Sequence, residues 1–214
     1  MSQTSNHSLG TLLAVIVGEP EPVAEAVLAR LRDDGYEVLT AADSDEAALR
    51  AILAQADSLD ALVTITPTKR SHIEFDAIGD EAFETALQDQ LVAVVRTAQT
   101  VLPHLRTGGR IVHVGSRGHQ GAWGGAHHMA ASAALAAMTR SMALELEPEG
   151  LYVNLVAGEF SHDRKDTPQN RQAVAHAVSM LAAPDAGITG QCMVIDGLVS
   201  LRLSEARRPR LAQT

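Results

Sequence analysis

Apolar residues fall along this chain in two alternating patterns. Short runs have the length of strands: Leu12 to Val17, Glu37 to Ala41, Ala61 to Ile65, Ile111 to Val114, Tyr152 to Val156 and Met193 to Asp196, of which Leu12 to Val17 and Ile111 to Val114 read as buried. Helical spacing fills the intervals. From Pro22 to Asp34, Val23, Val27, Leu28 and Leu31 share one face, and Gly35 stops the helix. Ser44 reads as an N-cap, with Leu49, Ile52 and Leu53 on the buried side of the next helix. A long helix is predicted from about Asp80 to Leu105, broken late by Pro103. An Ala-rich helix follows from about His127 to Glu147, and a last one from Ala173 to Ala182. Thr66 to Ile73 and Glu159 to Gln172 read as loops. Strands that alternate with helices predict an α/β fold: a Rossmann-like, doubly wound parallel sheet of six strands with helices on both faces.

Composition narrows the function classes. A chain of 214 residues suits one domain. Residues 1–10 read as a loose polar arm, 11–201 as the domain, and 202–214 as a tail whose Arg207, Arg208 and Arg210 form a solvated end. Aromatics make up only 3%, so the core must be Ala, Val, Leu and Ile. A net charge of −9 argues against nucleic acid, which needs a basic face. Cys192 is the single cysteine, so no intrachain disulfide can form. With no signal pattern at the N-terminus and no membrane-length apolar run, the expected location is the cytoplasm.

The chain is organised around Gly109 to Gly158, which reads as strand, glycine-rich loop, long helix and strand. Its segments GGRIVHVGS and AASAALAAMTRSMALELEPEGLYVNLVAGEF resemble the short-chain dehydrogenase/reductase family. The first is similar to that family's strand leading to a catalytic serine. The second is similar to its following helix and strand, which run into an Asn-x-Val-x-Pro-Gly turn. FETALQDQLVAVVRTAQTVLPHLRTGGRIV resembles the family's dimer-forming helix, and ITGQCMVIDGLVS its Ile-Thr-Gly-Gln…Asp-Gly-Gly closing strand. Four such segments in order cover about residues 11–200. The resemblance implies a Rossmann-type sheet and an NAD(P)-dependent oxidoreductase.

The residues at the expected cofactor site depart from that pattern. The family's Thr-Gly-x-x-x-Gly-x-Gly turn lets the backbone approach a pyrophosphate. Here Gly18 alone is kept, and Pro22 and Ala24 stand at the other glycine positions. Glu19 and Glu21 would face the phosphates, each repulsion costing roughly 1 kcal/mol in water. Asp43 is placed to bond a ribose hydroxyl. One strand–helix unit is missing between Ala42 and Ser44, and Thr64-Ile65-Thr66-Pro67 replaces the family's Asn-Asn-Ala-Gly.

The catalytic positions differ as well. The family's mechanism uses a tyrosine as proton donor, a lysine one helical turn on that lowers the tyrosine's pKa, a serine and an asparagine. Ser116 matches the serine, while His128, Ser132 and Gln90 stand for tyrosine, lysine and asparagine. His128 titrates near neutrality and is a candidate acid or base. His119, His127 and His128 are not expected to form a metal site, because adjacent helical residues point apart, and Trp123 is expected to fill space. The segment Gly158 to Ala173 is short and polar for a substrate lid.

With the phosphate loop, catalytic pair and lid all altered, Gly18, Asp43, Ser116, His128, Ser132 and Gln90 read as vestigial. The expectation is a non-catalytic structural or regulatory subunit with no bound cofactor. It would assemble with itself or with an active family member through helices 80–105 and 127–147 and strand 188–200. Two alternatives stand beside it. One is an atypical NAD(P)-dependent oxidoreductase using Ser116 and His128. The other is a binding protein for a small ligand in the cleft.

Overall fold

The computed structural model describes residues 11–42, 45–67, 72–121, 124–159 and 166–197. Asp43, Trp123, the N-terminal arm, the centre of the expected lid and the basic tail lie outside these residues. Six strands form one parallel sheet: β1 (Leu12–Val17), β2 (Tyr36–Ala41), β3 (Leu59–Ile65), β4 (Leu105–Ser116), β5 (Tyr152–Gly158) and β6 (Cys192–Ile195). Their order is β2-β1-β3-β4-β5-β6, and every pairing is parallel.

The helices are α1 (Pro22–Asp33), α2 (Glu46–Leu53), α3 (Asp80–Leu87), α4 (Ala93–Val101), α5 (Ala126–Glu145) and α6 (Pro168–Ala182). Strand alternation divides the core between the two sheet faces. Ala14, Ile16, Val112 and Val114 pack against α1 and α6. Val15, Val17, Leu62 and Ile111 pack against α2, α4 and α5. The central strands β1 and β3 are therefore covered on both faces, while β2 leaves Glu37 and Thr40 exposed at the sheet edge.

Several boundaries differ from the sequence reading. The cap of α2 is Asp45, whose carboxylate accepts from the Ala48 amide at 2.8 Å, so the cap falls one residue after Ser44. The helix expected over Asp80 to Leu105 is not uniform. It passes through a π segment, Gln88–Val92, between α3 and α4, and ends in a 3-10 turn around Pro103. β4 starts at Leu105, inside that expected helix and well before Ile111, because Leu105 already pairs with Leu59 of β3. α6 begins at Pro168 inside the expected loop, capped by the Thr167 hydroxyl. Asn154 of β5 fastens the 188–191 turn: its amide donates to the Ile188 carbonyl at 2.7 Å and accepts from the Gln191 amide at 3.1 Å.

Candidate functional site

The strand order reverses between β1 and β3, and ligands of open α/β sheets bind outside the strand ends at such a point. Here that crevice is tight. A Cβ on Gly18 would lie 2.6 Å from the Ile65 carbonyl oxygen, so Gly18 is needed for β1 to pass β3. The turn beyond it does not fit a pyrophosphate held in a glycine cradle. Pro22 occupies the first position of α1 and has no amide to offer. Glu21 stands at the N-cap in extended backbone, and its side chain does not cap the helix. The adjoining cleft, of about 340 Å³, is floored mainly by Ile16, Pro20, Ala24, Leu28 and Ala41. Nearby, the Thr66 hydroxyl is spent on the Val114 carbonyl at 3.3 Å.

The catalytic positions behave differently, because the fold brings three of them together. In the π segment, the extra residue per turn changes the bearing of the side chains, a device common at functional sites. Gln90 lies in this segment, is 4% exposed, and reaches across to α5. Its amide nitrogen lies 2.7 Å from His128 Nδ1. Ser132, one turn along α5, donates to the His128 carbonyl at 2.9 Å and lies 3.4 Å from Gln90 Oε1.

This amide can serve either protonation state of the imidazole. With Nε2 toward His128, Nδ1 is an acceptor. Turned over, Oε1 accepts a proton-bearing Nδ1, and Nε2 donates to Ser132, which keeps its own bond to the His128 carbonyl. The second orientation gives every group a proper partner and allows an imidazolium. Gln90 thus orients His128 as an orienting carboxylate would, but without adding a charge.

Ser116 ends β4 and caps the 3-10 turn Arg117–Gln120. Its Oγ accepts from the Gly118 amide at 3.0 Å, which leaves the hydroxyl proton to be donated elsewhere. His127 and His128 do not point apart as expected, since their ring centroids lie 4.1 Å from one another. His127 is nonetheless buried, and burial lowers its pKa. Among the described residues no group of three His, Cys, Asp or Glu could hold a metal. Burial raises the pKa of the Cys192 thiol, which packs 3.7 Å from His119 Nε2.

Two features at this end of the sheet escape sequence reading. The first is a strap. The Gly125 amide, at the start of α5, donates to the Ile73 carbonyl at 3.1 Å, and a Cβ on Gly124 would overlap the His72 ring. Gly124 also has φ +69. Gly124→Ala is therefore expected to displace the strap and loosen the first turn of α5, lowering the thermal unfolding midpoint. The pair His72→Ala/Gly124→Ala should recover only part of that loss. The collision is relieved, but the left-handed backbone still costs about 1–2 kcal/mol. Thermal unfolding of the two variants separates these contributions. The second feature is a row of charges, Arg117, Glu159 and Asp196, each one step beyond the end of its strand. The signal was in the sequence, but only once those strand ends are aligned.

The sequence profile described as enoyl-(acyl carrier protein) reductase matches residues 15–165. The 3-oxoacyl-(acyl-carrier-protein) reductase FabG of Vibrio cholerae is 30% identical over 181 residues, covering 74% of this chain and 74% of the relative. The short-chain reductase protein NovJ of Streptomyces niveus is 24% identical over 220 residues, covering 87% of this chain and 84% of its own. An oxidoreductase of the short-chain dehydrogenase/reductase family from Burkholderia thailandensis superposes with a TM-score of 0.77 at 22% identity, covering 92% of this chain and 96% of that one. Among the described residues no helix is long and apolar enough to cross a membrane.

These relatives overturn the expectation of a non-catalytic subunit, since they are named as reductases and point to an oxidoreductase. Of the three alterations on which that expectation rested, phosphate loop, catalytic pair and lid, the second is not a plain loss. His128, Ser132 and Gln90 form one hydrogen-bonded group. A tyrosine needs a lysine beside it to titrate near neutrality, whereas an imidazole does so unaided and would be suppressed by a neighbouring cation. By profile, by sequence relatives and by fold, the chain belongs to the short-chain dehydrogenase/reductase family.

Proposed function

We propose that this chain is an atypical oxidoreductase that interconverts a carbonyl and an alcohol, with His128 in the proton-transferring role. The observation that carries this reading is the 2.7 Å contact between Gln90 and His128 Nδ1, closed by Ser132. It engages Nδ1 of the imidazole on the first turn of α5, which supports Nε2 as the nitrogen that would exchange a proton with substrate. The names of the relatives make 3-oxoacyl thioesters the first substrate class to try.

Reduction of a ketone adds a hydride to carbon and a proton to oxygen. The proton half follows from this chain's own groups. The Ser116 hydroxyl, its acceptor side taken by the Gly118 amide, donates to the carbonyl oxygen. His128, as imidazolium, delivers the proton from Nε2 while Gln90 holds Nδ1. In the alcohol-oxidising direction the neutral ring takes the proton back. NAD(P)H is the hydride carrier that the family pairs with this sheet. The β1–α1 turn does not fit its pyrophosphate, so the expected grip is weak.

The test is turnover of acetoacetyl-N-acetylcysteamine with NADH and with NADPH between pH 6 and 8, the alcohol being identified by mass spectrometry. If the folded protein turned over neither this thioester nor simple ketones with either carrier, the reading would fail. A second result is expected at the phosphate end. Glu19→Gln/Glu21→Gln should lower KM for NADH by about thirtyfold, from two repulsions of roughly 1 kcal/mol each. It should leave kcat little changed, which steady-state kinetics can check.

A further inference from the structure

β4, β5 and β6 end in register, with Ser116 opposite Gly158 and Gly158 opposite Ile195. One residue further on, each chain carries a charge. Arg117 Nε lies 2.5 Å from Glu159 Oε2 and 3.9 Å from Asp196 Oδ2, and all three side chains are less than a tenth exposed. The ion pair takes over where the backbone ladder stops. Beyond it the three chains part. β4 enters the 3-10 turn, β5 passes on to Glu159, whose carbonyl accepts from the Asn170 amide at 2.9 Å, and β6 turns at Asp196.

Arg117 stands between the two ends of the contact that prepares Ser116, since the Gly118 amide is what occupies the Ser116 oxygen. That contact closes over a single intervening residue, so the restraint on Arg117 bears directly on it, beside the packing of Gly118 against Met129 and Ser132 of α5. Here the guanidinium is buried and bonded to the neighbouring strand's exit, a charge-assisted bond stronger than a neutral one. Because the cation is matched by carboxylates, it acts on Ser116 through geometry and not as a bare positive charge.

We propose that Arg117, clamped by Glu159 and Asp196, is a positioning residue that holds Ser116 as a hydrogen-bond donor to the substrate carbonyl. This rests on the carbonyl-reducing role given to Ser116 above. Two measurements test it, one of which needs no activity. In amide hydrogen exchange, Arg117→Gln and Glu159→Gln should each speed exchange at Gly118 by more than tenfold, with β1 to β3 unchanged. Parallel acceleration across the whole sheet would mean a general loss of stability and would overturn the proposal, as would no change at Gly118.

The kinetic measurement is a double-mutant cycle with acetoacetyl-N-acetylcysteamine and NADH. Arg117→Gln should lower kcat at least tenfold with KM moved less than twofold, and should add little in a Ser116→Ala background. Arg117→Lys, which keeps the charge but not the planar fork, should restore only part of the rate. An equal loss in both backgrounds would show that Arg117 does not act through Ser116. Absence of turnover in the unsubstituted protein would sink the oxidoreductase reading, while the exchange experiment would still decide the clamp.

Discussion

His128→Gln is expected to lower the rate of carbonyl reduction at pH 7 by about 10²–10⁴-fold, the usual contribution of a positioned general acid. Glutamine keeps a polar group facing Gln90 but has no proton to lose or gain. KM should change far less than kcat, because the lost interaction belongs to the transition state. The unsubstituted protein should also differ from a tyrosine enzyme in its pH profile. The donor in reduction is the imidazolium, so the rate falls as pH rises through the imidazole range, about pH 5–8, approaching tenfold per unit on the far side. Alcohol oxidation needs the neutral ring and rises over the same range. His128→Tyr should not rescue the reaction at pH 7, because a phenol of pKa ~10 has no lysine beside it. His128→Tyr/Ser132→Lys should recover more than either change alone. Rates of these variants against pH, in both directions, are the measurement. A profile flat between pH 5 and 8 would remove His128 from the proton transfer.

The central strands were legible because they are covered on both faces, so β1 announces itself as an unbroken apolar run and β5 as a run broken only by Asn154. β4 was legible only at its end. Leu105 to Arg110 mixes polar residues and two glycines, and its strand character comes from pairing with β3, a long-range fact that no local window contains. The π segment was hidden for a related reason. Gln88 to Val92 has ordinary helical composition, and the extra residue per turn shows only in the backbone.

The candidate site divides along the same line. Residue types at family positions located Ser116, His128, Ser132 and Gln90. Taken one at a time, His128, Ser132 and Gln90 each looked like a loss. Their meaning lies in the distances among them, since an amide beside an imidazole becomes an orienting group only when it lies 2.7 Å from a ring nitrogen. The β1–α1 turn shows its departure by composition alone, since prolines and carboxylates stand around Gly18 where the family's turn has glycines.

Acid should weaken this fold well before its surface carboxylates are all protonated, and His113 is the expected cause. It lies in the middle of β4, wholly buried, with Nδ1 2.7 Å from the Thr64 hydroxyl and no partner for Nε2 among the described residues. Desolvation pushes its pKa down to about 4. In the unfolded chain the value is about 6.5, so above that pH both states are neutral and pH has no leverage here. Between about 6.5 and about 4 the unfolded chain binds a proton that the folded protein refuses, and stability falls as pH falls. Below about 4 both states are protonated and the loss levels off at about 3 kcal/mol. That is a large share of the ~5–15 kcal/mol typical of a domain, and equals roughly 6–12 °C in Tm for a chain of this size. His127, whose pKa is also lowered by burial, adds loss of the same sign. His113→Gln removes the titrating group, so its urea midpoint should vary less between pH 7 and pH 4.5 than that of the unsubstituted protein, whatever its stability at pH 7. Equal pH dependence in the two proteins would place the acid sensitivity elsewhere. A smaller slope in His113→Gln would show that a neutral imidazole, sealed under α4 and α5, makes the sheet depend on pH.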